Sequence, residues 1–359
     1  MRNQRVIFVK RPGVNAEPTP ECFRCEPCHE PTVDDLEEAQ CIVRTLYLSV
    51  DPAQRCRMNP STGVDYLNAY EEGELVDGME GVGEVVEAGP GCSLEAGDLV
   101  TSCAHLWPWT KVFIADSSDL VKISLPPIFS PSIVLSCVGL SGMTALVGIR
   151  HKAQIDLNAK SQTIVVSGAA GSCGTLVGQI ARLEGCTKVI GICGTEEKCR
   201  ILTEELGFDG AINYNTVPIA ERLTQLAPHG VDIYWDNVGG FISDAVIQMM
   251  NEKGRIVLCG QIALYNTDLP YPPPLPPPTA EILTKRHISR ERYLVLRYKD
   301  EFDSAVAQLS TWLLEGKLKS RETVSEGLAS APLAFVQMMS GANIGKMVVK
   351  VDNPSERRQ

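Results

Sequence analysis

Gly168, Gly171 and Gly174 stand directly after the β-branched run Thr163-Ile-Val-Val-Ser167 and directly before an apolar helical pattern at Leu176, Val177, Ile180, Ala181 and Leu183. Strand, glycine turn and helix together put a pyrophosphate on backbone N–H groups at a helix N-terminus. The spacing is a variant, A-x-G-x-x-G with Ala169 in the first place and an extra glycine just before it. A second apolar run, 188–193, ends at Gly194, 20 residues after Gly174. An NAD-binding chain usually carries an acid there for the ribose hydroxyl. This chain has Gly194 and then Thr195-Glu-Glu-Lys198, with Tyr214 after the next short strand. Lys198 and Tyr214 could hold the 2′-phosphate of NADP(H), which favours NADP(H) over NAD(H). Two alternatives stay open: Lys198 as a solvated helix lysine paired with Glu196 or Glu197, and one of those acids taking the ribose role.

These residues need a frame to hold them. Further strand-like runs at 231–235 and 254–260 alternate with helical segments such as 242–250, the pattern of a doubly wound parallel sheet. Ligands of such sheets sit outside the carboxyl ends of the strands, which makes Asn237, Val238, Cys259, Gly260 and Gln261 candidate lining residues. Before about residue 130 the chain reads as β-rich, with short strands at 44–50, 81–88 and 99–102 between turns marked by Gly89-Pro-Gly91 and Gly97-Asp98. The expected division is a β-rich domain from 1–130 and 300–359 and a dinucleotide-binding domain from 131–299. Residues 266–280 hold seven prolines, Pro270, Pro272 to Pro274 and Pro276 to Pro278, and read as an extended loop able to close over the site. A strand is expected at 292–296, a helix at 303–315, and a last strand at 345–351 that rejoins the first domain.

Composition narrows the function classes. The chain has 359 residues, 44% of them apolar, and a net charge of −11. The acidic balance speaks against nucleic acid as a partner. No run of 18 apolar residues and no secretory leader are read, so no membrane span is expected. Thirteen cysteines without a leader read as reduced thiols of a cytoplasmic protein. Cys22, Cys25 and Cys28 approach a zinc-loop spacing with His29 adjoining. A structural zinc needs four spaced ligands, and these read as unrelated thiols of a surface loop.

The run Gly78-Met-Glu-Gly-Val-Gly83 bears on a second metal question. It aligns with the Gly-His-Glu-x-x-Gly of zinc alcohol dehydrogenases, with Met79 in place of the ligand histidine. With 44–52 (Arg-Thr-Leu-Tyr-Leu-Ser-Val-Asp-Pro), 165–174, 191–198, 236–240, 259–266, the proline segment and 341–346, the whole chain resembles a medium-chain dehydrogenase/reductase of the zinc-independent prostaglandin reductase branch. That resemblance implies a GroES-like β-rich catalytic domain plus a Rossmann doubly wound parallel sheet. It implies NADPH as the cofactor and no metal. Gly171, Ser172, Cys173 and Gly174 would bind the pyrophosphate, and Lys198 and Tyr214 the 2′-phosphate. Asn237, Cys259, Gly260, Gln261, Ile262, Ala263, Leu264, Tyr265, Tyr293, Leu294, Val295 and Asn343 would contact the rest. Two stretches depart from the family pattern: Ala53-Gln54 after Asp51-Pro52, and the longer 102–109 segment with Leu106 before Trp107.

The activity implied is conjugate reduction of the 13,14 double bond of a lipid enone, a 15-oxo-prostaglandin, by a monomer or homodimer. Charge develops on the substrate carbonyl oxygen, and without a metal it must be met by hydrogen-bond donors. Tyr265, Tyr66 and a nicotinamide ribose hydroxyl are the candidates. A broader quinone or alkenal reductase and a non-enzymatic NADPH-binding protein are the competing classes.

Overall fold

The computed structural model describes residues 3–13, 15–63, 67–102, 105–267 and 269–351. The chain divides into two units, Met1–Gly139 with Glu322–Gln359, and Leu140–Arg321. The helix Phe302–Leu314 therefore stays with the second unit, although the chain from residue 300 onward was expected to return to the first. Its inward face, at Phe302, Ala305 and Leu309, is buried, and Leu309 is wholly so.

In the first unit Gln40–Ser49 is the central strand. It pairs antiparallel with Gly81–Ala88, with Val112–Asp116 and with the late strand Lys346–Lys350. That last pairing, Val348 opposite Ser49, returns the chain to its first sheet as expected. The glycines of the 78–83 run have a packing reason. A Cβ at Gly81 would lie 2.3 Å from Cγ of Trp107, one at Gly83 3.0 Å from the same indole, and one at Gly78 2.9 Å from Nε1 of Trp109. Trp107 is 1% exposed and donates through Nε1 to Thr45 Oγ1 at 3.1 Å. The run is thus a floor shaped for two tryptophans.

The second unit is a six-stranded sheet. We number its strands β1 (Thr163–Ser167), β2 (Lys188–Cys193), β3 (Gly210–Asn213), β4 (Val231–Asp236), β5 (Met250–Leu258) and β6 (Ser289–Arg292). All neighbours are parallel and the order is 3-2-1-4-5-6, the dinucleotide-binding order. Every residue of β1 is buried, which is why it reads as an unbroken apolar run rather than an alternating one.

Two expectations about the late chain change. The strand near 292–296 lies earlier, at β6, and Val295–Glu301 is a 3-10 turn. The proline loop is also shorter than expected, because a helix begins inside it at Pro277–Lys285. Proline is tolerated in a first helical turn, whose N–H groups have no intrahelical acceptor. One stretch, Val134–Ala153, is helical and apolar enough by length to cross a membrane, and 72% of its most apolar window is buried in the protein, as in a core helix.

Gly81→Ala tests the tryptophan floor. Overpacking a buried ring costs about 1–3 kcal/mol. Thermal unfolding should show a lower midpoint than the parent protein, and an unchanged midpoint would mean that Trp107 has room to move.

Candidate active site at the carboxyl ends of the strands

The glycines after β1 divide the work. Gly168 takes φ +57, the left-handed region, and so makes the tight turn that the fingerprint's first glycine would make. Ala169 is buried and its methyl packs over Gly191 of β2, where an added Cβ would come within 2.9 Å. Gly174 lets the helix Ser172–Leu183 close on the turn, since a Cβ there would lie 2.4 Å from the Gly168 carbonyl oxygen. Gly171 is the N-cap and brings no side chain to the first turn. The first N–H groups of a helix lack intrahelical partners and sit at the positive end of its dipole. Gly171, Ser172, Cys173 and Gly174 therefore form one cradle fit for a phosphate.

At the end of β2, Tyr214 lies against the turn that leads into the helix carrying Lys198. A Cβ on Gly194 would be 2.9 Å from the Tyr214 hydroxyl, so that ring lies over the glycine. Thr195 caps the helix Glu196–Arg200 by accepting from the Lys198 N–H at 3.2 Å. Lys198 is half-buried, and burial holds its amine below the ordinary lysine value despite Cys193 and Glu197 nearby. A half-buried ammonium gains from an anion at its head. Glu196, one of the two acids weighed for a ribose role, is engaged elsewhere: its Oε1 accepts from Asn213 Nδ2 at 2.7 Å and from Thr216 Oγ1 at 3.0 Å.

The end of β4 is organised by Asp236, which is not among the residues that spacing marks as candidates. Asp236 is 1% exposed. Its Oδ1 accepts from Tyr234, Ser167 and the N–H groups of Val238 and Gly239, and its Oδ2 from Ser243 at 2.5 Å and Gln261 Nε2 at 2.7 Å. Burial, and then the neighbouring Asp236 charge, hold the Tyr234 hydroxyl well above its usual value, so it stays a donor. Gln261 is therefore a buried brace, 2% exposed, rather than an open lining group. Asn237 is a brace too: Nδ2 donates to the Ser167 carbonyl at 2.8 Å, and Oδ1 accepts from Trp235 Nε1 at 3.1 Å. The only sequence signal for this network was an acid at a strand end followed by Asn-Val-Gly-Gly.

Residues 259–265 fold back over that strand end. The N–H groups of Cys259 and Gly260 both reach the Asp236 carbonyl at 3.0 Å, Ile262 reaches Asn237 and Ala263 reaches Val238. Ile262–Leu264 is a single 3-10 turn that delivers Tyr265 beside Gly260. The Tyr265 hydroxyl oxygen accepts from the Gln261 N–H at 3.2 Å. Its ring centroid lies 6.4 Å from that of Tyr271 in the proline segment, and Arg292 stacks on Tyr271 at 4.7 Å. Tyr293 and Val295 are each 5% exposed, with Leu294 half-buried between them. The Tyr293 hydroxyl is buried with no hydrogen-bond partner among the described residues, and burial drives it up from the ordinary phenol value.

Asn343 belongs to the first unit, where Nδ2 donates to the Gly345 carbonyl at 2.7 Å. Tyr66 lies outside the described residues. A zinc ion does not fit the side chains here: Met79 occupies the expected ligand position, and no three His, Cys, Asp or Glu side chains converge among the described residues.

Known proteins share this architecture. Residues 173–310 match the zinc-binding dehydrogenase family model, and residues 4–123 match the N-terminal domain of oxidoreductase. The NADPH-dependent curcumin reductase of Escherichia coli is 35% identical over 98% of this chain and 97% of its own. Prostaglandin reductase 1 of Mus musculus is 37% identical over 88% of this chain and 90% of its own. The crystal structure of CurA in complex with NADPH from Vibrio vulnificus superposes with a TM-score of 0.87 at 32% identity, covering 98% of this chain and all of that one.

Asp236→Asn keeps the shape and replaces one acceptor by an NH2 group. Two buried donors lose their partner at about 1–3 kcal/mol each, so a loss of roughly 2–6 kcal/mol is expected in denaturant unfolding. An unchanged midpoint would show that the network does not hold the strand ends.

Proposed function

The chain belongs to the medium-chain dehydrogenase/reductase family, and from that premise we propose that it is an NADPH-dependent, metal-independent reductase of enones. The finer reading is a 15-oxoprostaglandin 13-reductase of the prostaglandin reductase 2 type, a cytoplasmic monomer or homodimer. The observation that carries it is Tyr265, delivered to the carboxyl end of the sheet with its hydroxyl oxygen bonded to the Gln261 N–H.

The cradle at Gly171, Ser172, Cys173 and Gly174 would hold the pyrophosphate of NADPH. Lys198 and Tyr214 would hold its 2′-phosphate, with Glu196 withdrawn by Asn213 and Thr216. Gly260, Ile262, Ala263 and Leu264 would line the rest, on the braces Asn237, Cys259 and Gln261. Bound NADPH supplies a hydride to the β-carbon of the enone. As negative charge grows on the substrate carbonyl oxygen, the Tyr265 O–H donates to it. A phenol is protonated at neutral pH, and one that already accepts a hydrogen bond is a stronger donor. The gain is largest where the charge is largest, in the transition state. Tyr66 is the second proposed donor. Tyr293, Leu294, Val295 and Asn343 are proposed cofactor contacts, and the partnerless Tyr293 hydroxyl suits that role.

A broader enone reductase is the second reading, favoured by the likeness to curcumin reductase over 98% of the chain. Turnover on a 15-oxo-prostaglandin, set against a small quinone and a small alkenal, decides between them.

Lys198→Ala should raise the Michaelis constant for NADPH roughly 10- to 150-fold, the worth of one charge-assisted contact, and leave that for NADH nearly unchanged. Equal effects on both would remove Lys198 from phosphate recognition. Tyr265→Phe, assayed by NADPH oxidation with a 15-oxo-prostaglandin, should lower kcat by up to roughly 10²-fold with little change in NADPH affinity. Unchanged turnover would make Tyr265 a wall of the site.

A further inference from the structure

Cys193 and Cys199 are six residues apart in sequence, and their sulfur atoms lie 3.4 Å apart. Cys193 closes β2 and is 3% exposed, whereas Cys199 lies half-buried on the helix Glu196–Arg200. The two thiols share one hydrogen bond, and it acts on them in opposite senses. It lowers the Cys199 thiol, while that bond and burial raise Cys193. The half-buried Cys199 sulfur is the one a hydroperoxide can reach, and the buried Cys193 sulfur is a resolving thiol in waiting. Neither sulfur has a part in the reduction described above.

We propose that Cys193 and Cys199 are a redox-active dithiol that hydroperoxides oxidise to a disulfide, and that this bond weakens the binding of NADPH. The second half rests on the reading of Lys198 as the 2′-phosphate ligand. In the first step the Cys199 thiolate attacks the hydroperoxide. A sulfur–oxygen bond forms, the O–O bond breaks, and the leaving alkoxide takes a proton. In the second step the Cys193 sulfur attacks the Cys199 sulfenic acid. The disulfide forms, the sulfur–oxygen bond breaks, and the departing hydroxide takes the Cys193 proton as water. Two thiols and one hydroperoxide give one disulfide, one alcohol and one water.

The consequence for the cofactor follows from what the new ring encloses. A disulfide needs its sulfurs at about 2.05 Å, so they must approach by roughly 1.3 Å. The ring contains Gly194, whose carbonyl accepts from Asn215 Nδ2 at 2.8 Å, Thr195, which caps Lys198, and Lys198 itself. Drawing Cys199 toward the strand end displaces the turn that aims Lys198. The loss of one aimed charge-assisted contact is worth roughly tenfold or more in affinity.

The test exposes the full-length protein to tert-butyl hydroperoxide, alkylates the remaining thiols and maps crosslinks by mass spectrometry. A Cys193–Cys199 crosslink, reversed by dithiothreitol, is expected. The dissociation constant of NADPH should rise at least about tenfold in the oxidised form while that of NADH moves little. Cys199→Ser, and separately Cys199→Ala, should keep reduced-state NADPH affinity through the same treatment. Both thiols alkylating after other cysteines are oxidised would overturn the dithiol. A crosslink without a change in NADPH affinity would overturn its effect on binding. So would an equal loss of affinity in the Cys199 variants, which would assign the effect to other cysteines. The crosslink is read without any cofactor. Equal binding of NADPH and NADH by the reduced protein would therefore overturn the Lys198 reading, and with it the coupling, apart from the dithiol result.

Discussion

A carboxylate withdrawn from water must find its hydrogen bonds inside the protein, and Asp236 finds six. The donors come from β1, β4, the turn after β4, the helix Gly240–Gln248 and the segment after β5. Satisfying one buried charge thus fixes the relative positions of five pieces of chain. The same demand dictates the backbone beyond it: Gly239 and Gly240 take φ +78 and +58, which turn the 238–239 N–H groups back onto Asp236. Gln261 is held in place by that charge, and the Gln261 N–H in turn locates the Tyr265 hydroxyl. The proposed donor to substrate is therefore two hydrogen bonds away from the carboxylate that organises the strand ends. Buried polar networks behave as a unit, so their parts are not interchangeable one at a time.

The sheet was legible because its signals are local. Buried parallel strands are unbroken apolar runs, and glycines mark where backbone must pass close to backbone. The place of Asn237, Cys259 and Gln261 was legible from strand ends alone, but their work was not. Asn237 and Gln261 brace the site because their partners, Ser167, Trp235 and Asp236, arrive from other segments. Asp236 itself escaped notice for the same reason, since no spacing in the chain announces a donor 69 residues away. The proline segment misled in a different way. Proline bars a helix interior but not a first turn, and Pro277 and Pro278 begin a helix inside the segment.

The first unit shows a related limit. The 78–83 run attracted attention for a metal ligand it lacks. Its glycines answer to packing, under Trp107 and Trp109, and only the tertiary structure brings those indoles over them. A departure in the 102–109 segment is thereby tied to a floor twenty or more residues earlier, and the two must vary together.

The arrangement at the end of β2 also constrains how this lineage changes coenzyme. A redesign toward the unphosphorylated dinucleotide would place an acid at position 194. That side chain would meet the Tyr214 hydroxyl at 2.9 Å, so Tyr214 must be replaced first or at the same time. The acid already nearby, Glu196, is no shortcut, since releasing it strips the Asn213 amide of its acceptor. On the proposed 2′-phosphate site, the coenzyme preference is thus guarded by epistasis: the order of substitution matters, because an acid at 194 fits only where Tyr214 has already given way.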